Sequence, residues 1–221
     1  MLYKSFLNLQ LSALGFGNMR LPTLESGGID TSKADDMIAY AFEHGVNYYD
    51  TAYGYHEGES ENFIGKSLSR YPRDSWCLAS KFPGYQKRQN WDPEEVFEEQ
   101  LKKCGIDYFD FYLLHNVCEQ TVDTYLNPKW GIMDYLVGQK KLGRIRYFGI
   151  STHAGLETFL KFIEKYGEQI DFCQIQLNAL DWTLQNAQYK YEFLTKHNIP
   201  IWVMEPVRGG GVSHHSQKKM N

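Results

Sequence analysis

Short apolar strands alternating with amphipathic helices predict an α/β fold, a (β/α)8 TIM-type barrel that is incomplete, with about seven β-α units present. Three observations predict it. Roughly seven strand-then-helix steps follow one another along the chain. The connections are short, which implies a parallel sheet with the helices outside it. Polar side chains able to do chemistry recur where strands end, the rim on which such barrels carry their sites. A complete barrel typically takes about 250 residues, and this chain has 221.

The elements follow in order. Residues 3–14 show short apolar alternation and predict a hairpin that plugs one end of the fold. Residues 14–22 read as a strand running into a loop, whose glycines let the backbone approach something closely; a plain tight turn is the competing reading. Asp30 or Thr31 caps a helix with Ala34, Met37, Ile38, Ala41 and Phe42 on one face. Gly45 terminates it. A strand over 46–49 follows, with Asp50 at its end and Tyr55 five positions later in a polar loop. Phe63, Ile64 and Leu68 mark the next helix. Residues 77–80 form a short strand ending at Lys81. Asp92-Pro93-Glu94-Glu95 is a helix start with a cap, a proline in the first turn and a capping-box acid. That helix ends near Gly105.

The second half repeats the layout. Residues 108–114 form a buried strand ending at His115. A polar loop and a helix over 133–141 come next. Residues 146–150 are a strand ending at Ser151 and Thr152. Leu156, Phe159, Leu160 and Ile163 mark a helix closed by Gly167. A strand over 172–178, a helix over 186–197 and a strand over 201–205 complete the series. Residues 213–221 have no apolar period and read as a polar tail where a further helix, strand and helix are expected. The whole of 1–221 is expected to form one barrel domain lacking that C-terminal helix, strand and helix.

Composition narrows the function. The chain is 43% hydrophobic and 23% charged, ordinary for a globular domain with a sizeable core. A net charge of −4 gives no nucleic-acid surface and no polybasic membrane patch. No apolar run reaches about 18 residues, so no membrane span is expected. The first six residues are too few and too mixed for a secretory signal. Cys77, Cys104, Cys118 and Cys173 are scattered without a CxxC pair. That spacing argues against a disulfide framework or a zinc site and for reduced thiols in a cytoplasm. No metal site is expected.

Asp50, Lys81 and His115 each follow a short apolar strand, and Tyr55 lies just beyond the first of them. Strand ends of a barrel ring one mouth, so these four groups are expected to converge. Each has a plainer reading: Asp50 as a turn cap, Tyr55 as one of 16 tyrosines, His115 as a satisfied core histidine. Lys81 is harder to dismiss, because a lysine near a barrel interior needs a partner. Their joint occurrence favours chemistry. Tyrosine is a weak acid with a reference pKa of about 10, and a neighbouring ammonium is expected to lower it. A carboxylate holds that ammonium, and an imidazole polarises a carbonyl beside the phenol. Such a set protonates an oxygen that gains negative charge. No serine or cysteine nucleophile with an adjacent base accompanies it. Hydride transfer to a carbonyl from a borrowed cofactor is the chemistry that fits.

At these residues the chain resembles the aldo-keto reductases. The matching motifs are Asp50-Thr51-Ala52-Tyr53-Gly54-Tyr55, the strand-end Lys81, Leu113-Leu114-His115, Gly149-Ile150-Ser151 and Gln174. The resemblance implies a (β/α)8 barrel and NADP(H)-dependent reduction of a small-molecule aldehyde or ketone. It implies Tyr55 as general acid, Asp50 and Lys81 as its tuning pair, and His115 as carbonyl orienter. It implies that Ser151, with Thr152 beside it, and Gln174 hold the nicotinamide carboxamide. Gly17, Asn18 and Met19 would line the ribose side, and Met204 and Pro206 would lie against the ring. Met204 stands where many members have an aromatic stacker. The segment over 53–61 and Met204-Glu205-Pro206 look like the microbial subgroup, some of whose members carry a C-terminal iron–sulfur segment. The family's basic grip on the adenosine 2′-phosphate follows the eighth strand, so weak cofactor binding and self-association through open barrel edges are expected. Two other readings stand beside the reductase: a catalytically inactive barrel serving as a fragment or a binding or regulatory module, and a lyase using Lys81 as a Schiff-base amine.

Overall fold

The computed structural model describes residues 1–211; the polar tail expected over 213–221 lies outside them. Strands β1 (Tyr3–Phe6) and β2 (Leu9–Ser12) form the expected antiparallel hairpin. Strand β3 (Phe16–Gly17) is only two residues long. It opens a parallel sheet in which strand order equals chain order: β3, β4 (Tyr48–Asp50), β5 (Cys77–Phe82), β6 (Phe109–Val117), β7 (Ile145–Thr152), β8 (Phe172–Gln176) and β9 (Ile201–Met204). The seven strands curl into a partial barrel. Among the described residues β3 and β9 are its two ends, each paired on one side.

The helices lie between these strands in sequence: α1 (Thr31–Glu43), α2 (Glu59–Leu68), α3 (Pro93–Cys104), α4 (Val122–Leu126), α5 (Ile132–Lys141), α6 (Leu156–Tyr166), α7 (Asp181–Leu184) and α8 (Ala187–Lys196). Asp30, not Thr31, is the cap of α1, accepting from the Lys33 N–H. Asp92 caps α3 by accepting from the N–H groups of Glu94 and Glu95, with Pro93 in the first turn and Gly105 left-handed at the end. Gly45, at φ 86°, turns the chain out of α1 toward β4, and the Tyr3 hydroxyl on its carbonyl leaves no room for a Cβ. The short helix α4 sits where periodicity predicts a polar loop, and α7 where it predicts no element. With five and four residues they carry too few apolar positions to register.

Side-chain alternation along each strand divides two cores. Leu78 and Phe82 of β5 and Tyr112 and Leu114 of β6 face the helices and belong to the large outer cluster. Cys77, Ala79, Phe111, Leu113, Tyr147 and Phe172 face inward and join Phe6 of the hairpin in a second cluster. The Phe6 ring meets Tyr147 at 5.0 Å and Trp202 at 4.6 Å between centroids, both edge-on, so the hairpin does close the barrel floor. Also at the amino end of the strands, buried Asp110 accepts from Arg73 at 2.7 Å, Arg146 at 2.9 Å and the Leu78 N–H at 3.0 Å. The four cysteines are buried and unpaired. Among the described residues, no helix is long and apolar enough to cross a membrane.

Candidate active site

The inward positions near the carboxyl ends of β4, β5 and β6 carry Asp50, Lys81 and His115. The sheet register makes them neighbours, since Asp50 pairs with Ala79 and Lys81 with Leu113. Lys81 and His115 lie within their strands rather than after them; β5 runs to Phe82 and β6 to Val117. Apolar-run reading truncates β6 at the histidine, whereas its ladder to β7 resumes at Val117 past an irregularity.

Lys81 is 2% exposed. Its ammonium donates to Asp50 Oδ1 at 2.5 Å, to the Thr51 carbonyl at 2.7 Å and to the Tyr55 hydroxyl at 3.4 Å. Burial works to strip its proton, but Asp50 and Tyr55 outweigh that and hold its pKa above the ordinary lysine value. A lysine paired with a carboxylate and held charged is a poor Schiff-base amine, which weighs against the lyase reading.

Tyr55 starts a 3₁₀ turn, residues Tyr55–Gly58, in which His56 and Glu57 both hold positive φ, 51° and 59°. The His56 Nε2 accepts from the Leu21 N–H at 3.1 Å, tying this strained turn to the loop after β3. Here one expectation is corrected. Burial raises the Tyr55 pKa, the Lys81 ammonium opposes it, Asp50 adds to the rise, and the net direction is upward. Desolvation of the phenolate outweighs the neighbouring cation, so the phenol keeps its proton at neutral pH.

His115 faces Tyr55 edge-on at 5.6 Å and Tyr85 at 5.0 Å between centroids. Burial and the Lys81 charge lower its pKa to about 3, so the imidazole is neutral. Its Nδ1 is buried with no hydrogen-bond partner among the described residues.

These four groups line a cavity of about 1120 Å³ running along the inside of the sheet. Gly17, Met19, Ser151, Gln174, Met204 and Pro206 line it as well. Asn18 and Thr152 do not. The Asn18 amide donates back to the Asp50 carbonyl at 2.9 Å, and the Thr152 hydroxyl to the Val117 carbonyl at 2.7 Å. Both are buried; Thr152 faces away from Ser151 along β7, and Asn18 lies just past the end of β3. The residues present fit a nicotinamide. Gln174 donates one amide N–H to Asp50 Oδ2 at 3.4 Å, which leaves its second N–H and its carbonyl oxygen for a carboxamide. A Cβ on Gly17 would meet nothing within 4 Å, so backbone is left bare to the cavity.

Of the other mouth residues, Tyr85, His153 and Gln176 carry no distinct sequence signal, whereas Glu205 does. Tyr85, His153, Gln176 and Glu205 come from loops or strand ends around the same opening. Glu205 follows the strand-end rule that found Asp50, and it pairs with Arg20 at 2.9 Å across the mouth between the loops after β9 and β3. Among the described residues, no group of three or more His, Cys, Asp or Glu is placed to hold a metal ion.

A family model described as the aldo/keto reductase family matches residues 13–221. The chain is 29% identical over 222 residues to the NADH-specific methylglyoxal reductase of Escherichia coli (strain K12), covering 92% of this chain and 66% of that protein. It is 27% identical over 207 residues to the NADPH-dependent alpha-keto amide reductase of Saccharomyces cerevisiae, covering 89% and 62%. A solved aldo-keto reductase from Bacillus halodurans, in its holo form, superposes with a TM-score of 0.70 at 27% identity, covering 94% of this chain and 67% of that one. The chain thus spans two thirds or less of the length of the curated relatives it matches.

Proposed function

The chain belongs to the aldo/keto reductase family, and from that premise we propose that it transfers a hydride between NADP(H) and an aldehyde or ketone, with Tyr55 as the general acid. The observation that carries this reading is the contact of a protonated tyrosine with a buried, charged lysine, 3.4 Å apart, inside a cavity that a neutral histidine also lines.

Bound in the cavity, the nicotinamide supplies the hydride. The chain's own residues do the rest. The neutral His115 donates an N–H to the carbonyl oxygen and orients it beside the phenol. Tyr55 gives its proton to that oxygen as negative charge develops there. Lys81 stabilises the resulting tyrosinate, and Asp50 keeps Lys81 charged and aimed. Ser151 and Gln174 would hold the carboxamide, Gly17 and Met19 would serve the ribose side, and Met204 and Pro206 would face the ring. Asn18 and Thr152 act from behind, through the Asp50 and Val117 carbonyls.

Residues 1–221 act in this reading as one barrel domain in a reducing cytoplasm. The edges of β3 and β9 provide a route to self-association, and sedimentation showing a monomer at every concentration removes that part. The test of function is a fluorescence titration with NADPH and, separately, NADH, since one relative is named for each nucleotide. Saturable binding tighter for NADPH, followed by carbonyl-dependent oxidation that Tyr55→Phe lowers about 10²–10⁴-fold, is expected. A folded chain that binds neither nucleotide overturns the proposal.

A further inference from the structure

Behind the site, on the helix side of β5, lies a buried polar network that the chemistry does not use. Ser80 and Lys81 are consecutive, so when Lys81 points into the barrel Ser80 points out. The Ser80 hydroxyl donates to Glu61 Oε1 at 2.5 Å. The Gln100 amide of α3 donates to the same oxygen at 2.5 Å, and contacts Ser80 Oγ at 2.9 Å and the Lys81 carbonyl at 3.2 Å. Its own oxygen accepts from the Tyr112 hydroxyl. Glu61, Ser80, Gln100 and Tyr112 are all fully buried.

A buried carboxylate is costly, and desolvation raises the Glu61 pKa against the hydrogen bonds from Ser80 and Gln100 that oppose it. The second carboxylate oxygen of Glu61 has no hydrogen-bond partner among the described residues, and the nearest cation, Lys103, is 3.9 Å away. What Glu61 does reach is informative. It lies on α2, the helix that begins directly after the Tyr55 turn. The adjacent Ser60 bonds Thr51 Oγ1 at 2.8 Å, and the Thr51 carbonyl is an acceptor for the Lys81 ammonium. Lys81 is therefore held at both ends by groups that the start of α2 anchors: its carbonyl by Gln100 of α3, which also donates to Glu61, and its ammonium by the carbonyl of Thr51, whose hydroxyl bonds Ser60. Close approach of α2 to α3 makes this possible. At Gly65 a Cβ would fall 2.6 Å from the Cys104 carbonyl carbon, so only glycine fits.

We propose that Glu61 is a positioning residue that sets, from the outer face of β5, the distance between the Lys81 ammonium and the Tyr55 hydroxyl. The inference rests on the reductase reading for its catalytic meaning, but its geometry is separately testable. Tyr55 feels Lys81, Asp50 and Glu205, and of these Lys81 is the group whose mount the network holds. Should the ammonium retreat by about 1.5 Å, the Tyr55 titration rises by about one pH unit at an effective dielectric of about 20.

The experiment places 3,5-difluorotyrosine, whose phenol titrates below that of tyrosine, at position 55 and follows it by ¹⁹F NMR. Glu61→Ala is expected to move the titration up by about one pH unit and Ser60→Ala by about half that. Glu61→Gln, which keeps an oxygen for both bonds, is expected to recover most of the wild-type value. In the unlabelled enzyme, Glu61→Ala is expected to lower kcat about 10–100-fold while KM for the nucleotide stays put. If Glu61→Ala does not fold, Ser60→Ala and Ser80→Ala carry the same test. Folded variants whose titration matches wild type overturn the inference and leave Glu61 a structural carboxylate. A wild type that never turns over defeats the reductase reading instead, and the fluorine titration still decides this one.

Discussion

Asp50→Asn removes the counterion of a lysine that has almost no access to water. The ion pair measures 2.5 Å and Lys81 is 2% exposed. At an effective dielectric of about 20, that separation corresponds to about 6–7 kcal/mol of gross attraction. Most of it offsets the desolvation of the ammonium, and deleting one partner of such a pair costs about 3–5 kcal/mol. Asparagine retains an accepting oxygen, and the Thr51 carbonyl still accepts at 2.7 Å. The low end, about 3 kcal/mol, is therefore expected, or about 6–12 °C in Tm for a chain of this size. The pH dependence identifies the cause. In the wild type the folded pKa of Lys81 is raised, so its stabilisation is fully present below the unfolded lysine value of about 10.4 and is lost as pH climbs through the folded value. In the variant, burial has lost its main opponent, and the lysine pKa falls below the ordinary value. The unfolded variant then binds the proton more readily, and its stability rises with pH. The gap between the two proteins should shrink by about 1 kcal/mol from pH 7 to pH 9. Thermal melts followed by circular dichroism at matched ionic strength measure both. A gap under about 2 °C at pH 7, or one that stays constant with pH, refutes the reasoning.

Two further perturbations read other parts of the molecule. His115 has its pKa pushed down from 6.5 to about 3, so the unfolded chain takes up a proton first and stability falls as pH drops from 6.5 toward 3. His115→Asn should flatten that limb by about 2 kcal/mol between pH 6.5 and 4.5, read by urea denaturation; a limb as steep as wild type counts against a buried neutral imidazole. Phe6→Ala empties the barrel floor and should cost about 3–5 kcal/mol in the same assay, with a loss under about 1 kcal/mol showing that the hairpin is not part of the core.

Sequence reading reached the layout of the site because strands alternate and barrels align their ends. Asp50, Lys81 and His115 each stand at an inward position near the mouth, and period-two patterning is enough to place them there. It failed where adjacency was read as shared orientation. Thr152 follows Ser151 on β7 and so faces the other way, while Asn18, just past the end of β3, turns its amide back onto the Asp50 carbonyl. It also misjudged the Tyr55 phenol, because the sequence shows the lysine beside it and not the depth at which the two are buried. The Glu61 network was invisible for a similar reason. Glu61, Ser80, Gln100 and Tyr112 come from four different elements, and each alone looks like an ordinary polar residue. Helices α4 and α7 were missed for want of length.

Strand order equal to chain order also bears on how the protein is made. As the chain leaves the ribosome, each new unit finds the free edge left by the one before it, so the sheet can grow in the direction of synthesis without waiting for distant partners. The hairpin is the exception. Phe6 precedes the whole sheet in the chain, yet its seat is completed by Tyr147, Phe172 and Trp202, which follow it by most of the sheet. The stopper is thus synthesised before its seat exists and fitted only after β7, β8 and β9 are in place, which puts the sealing of the barrel among the late events of folding.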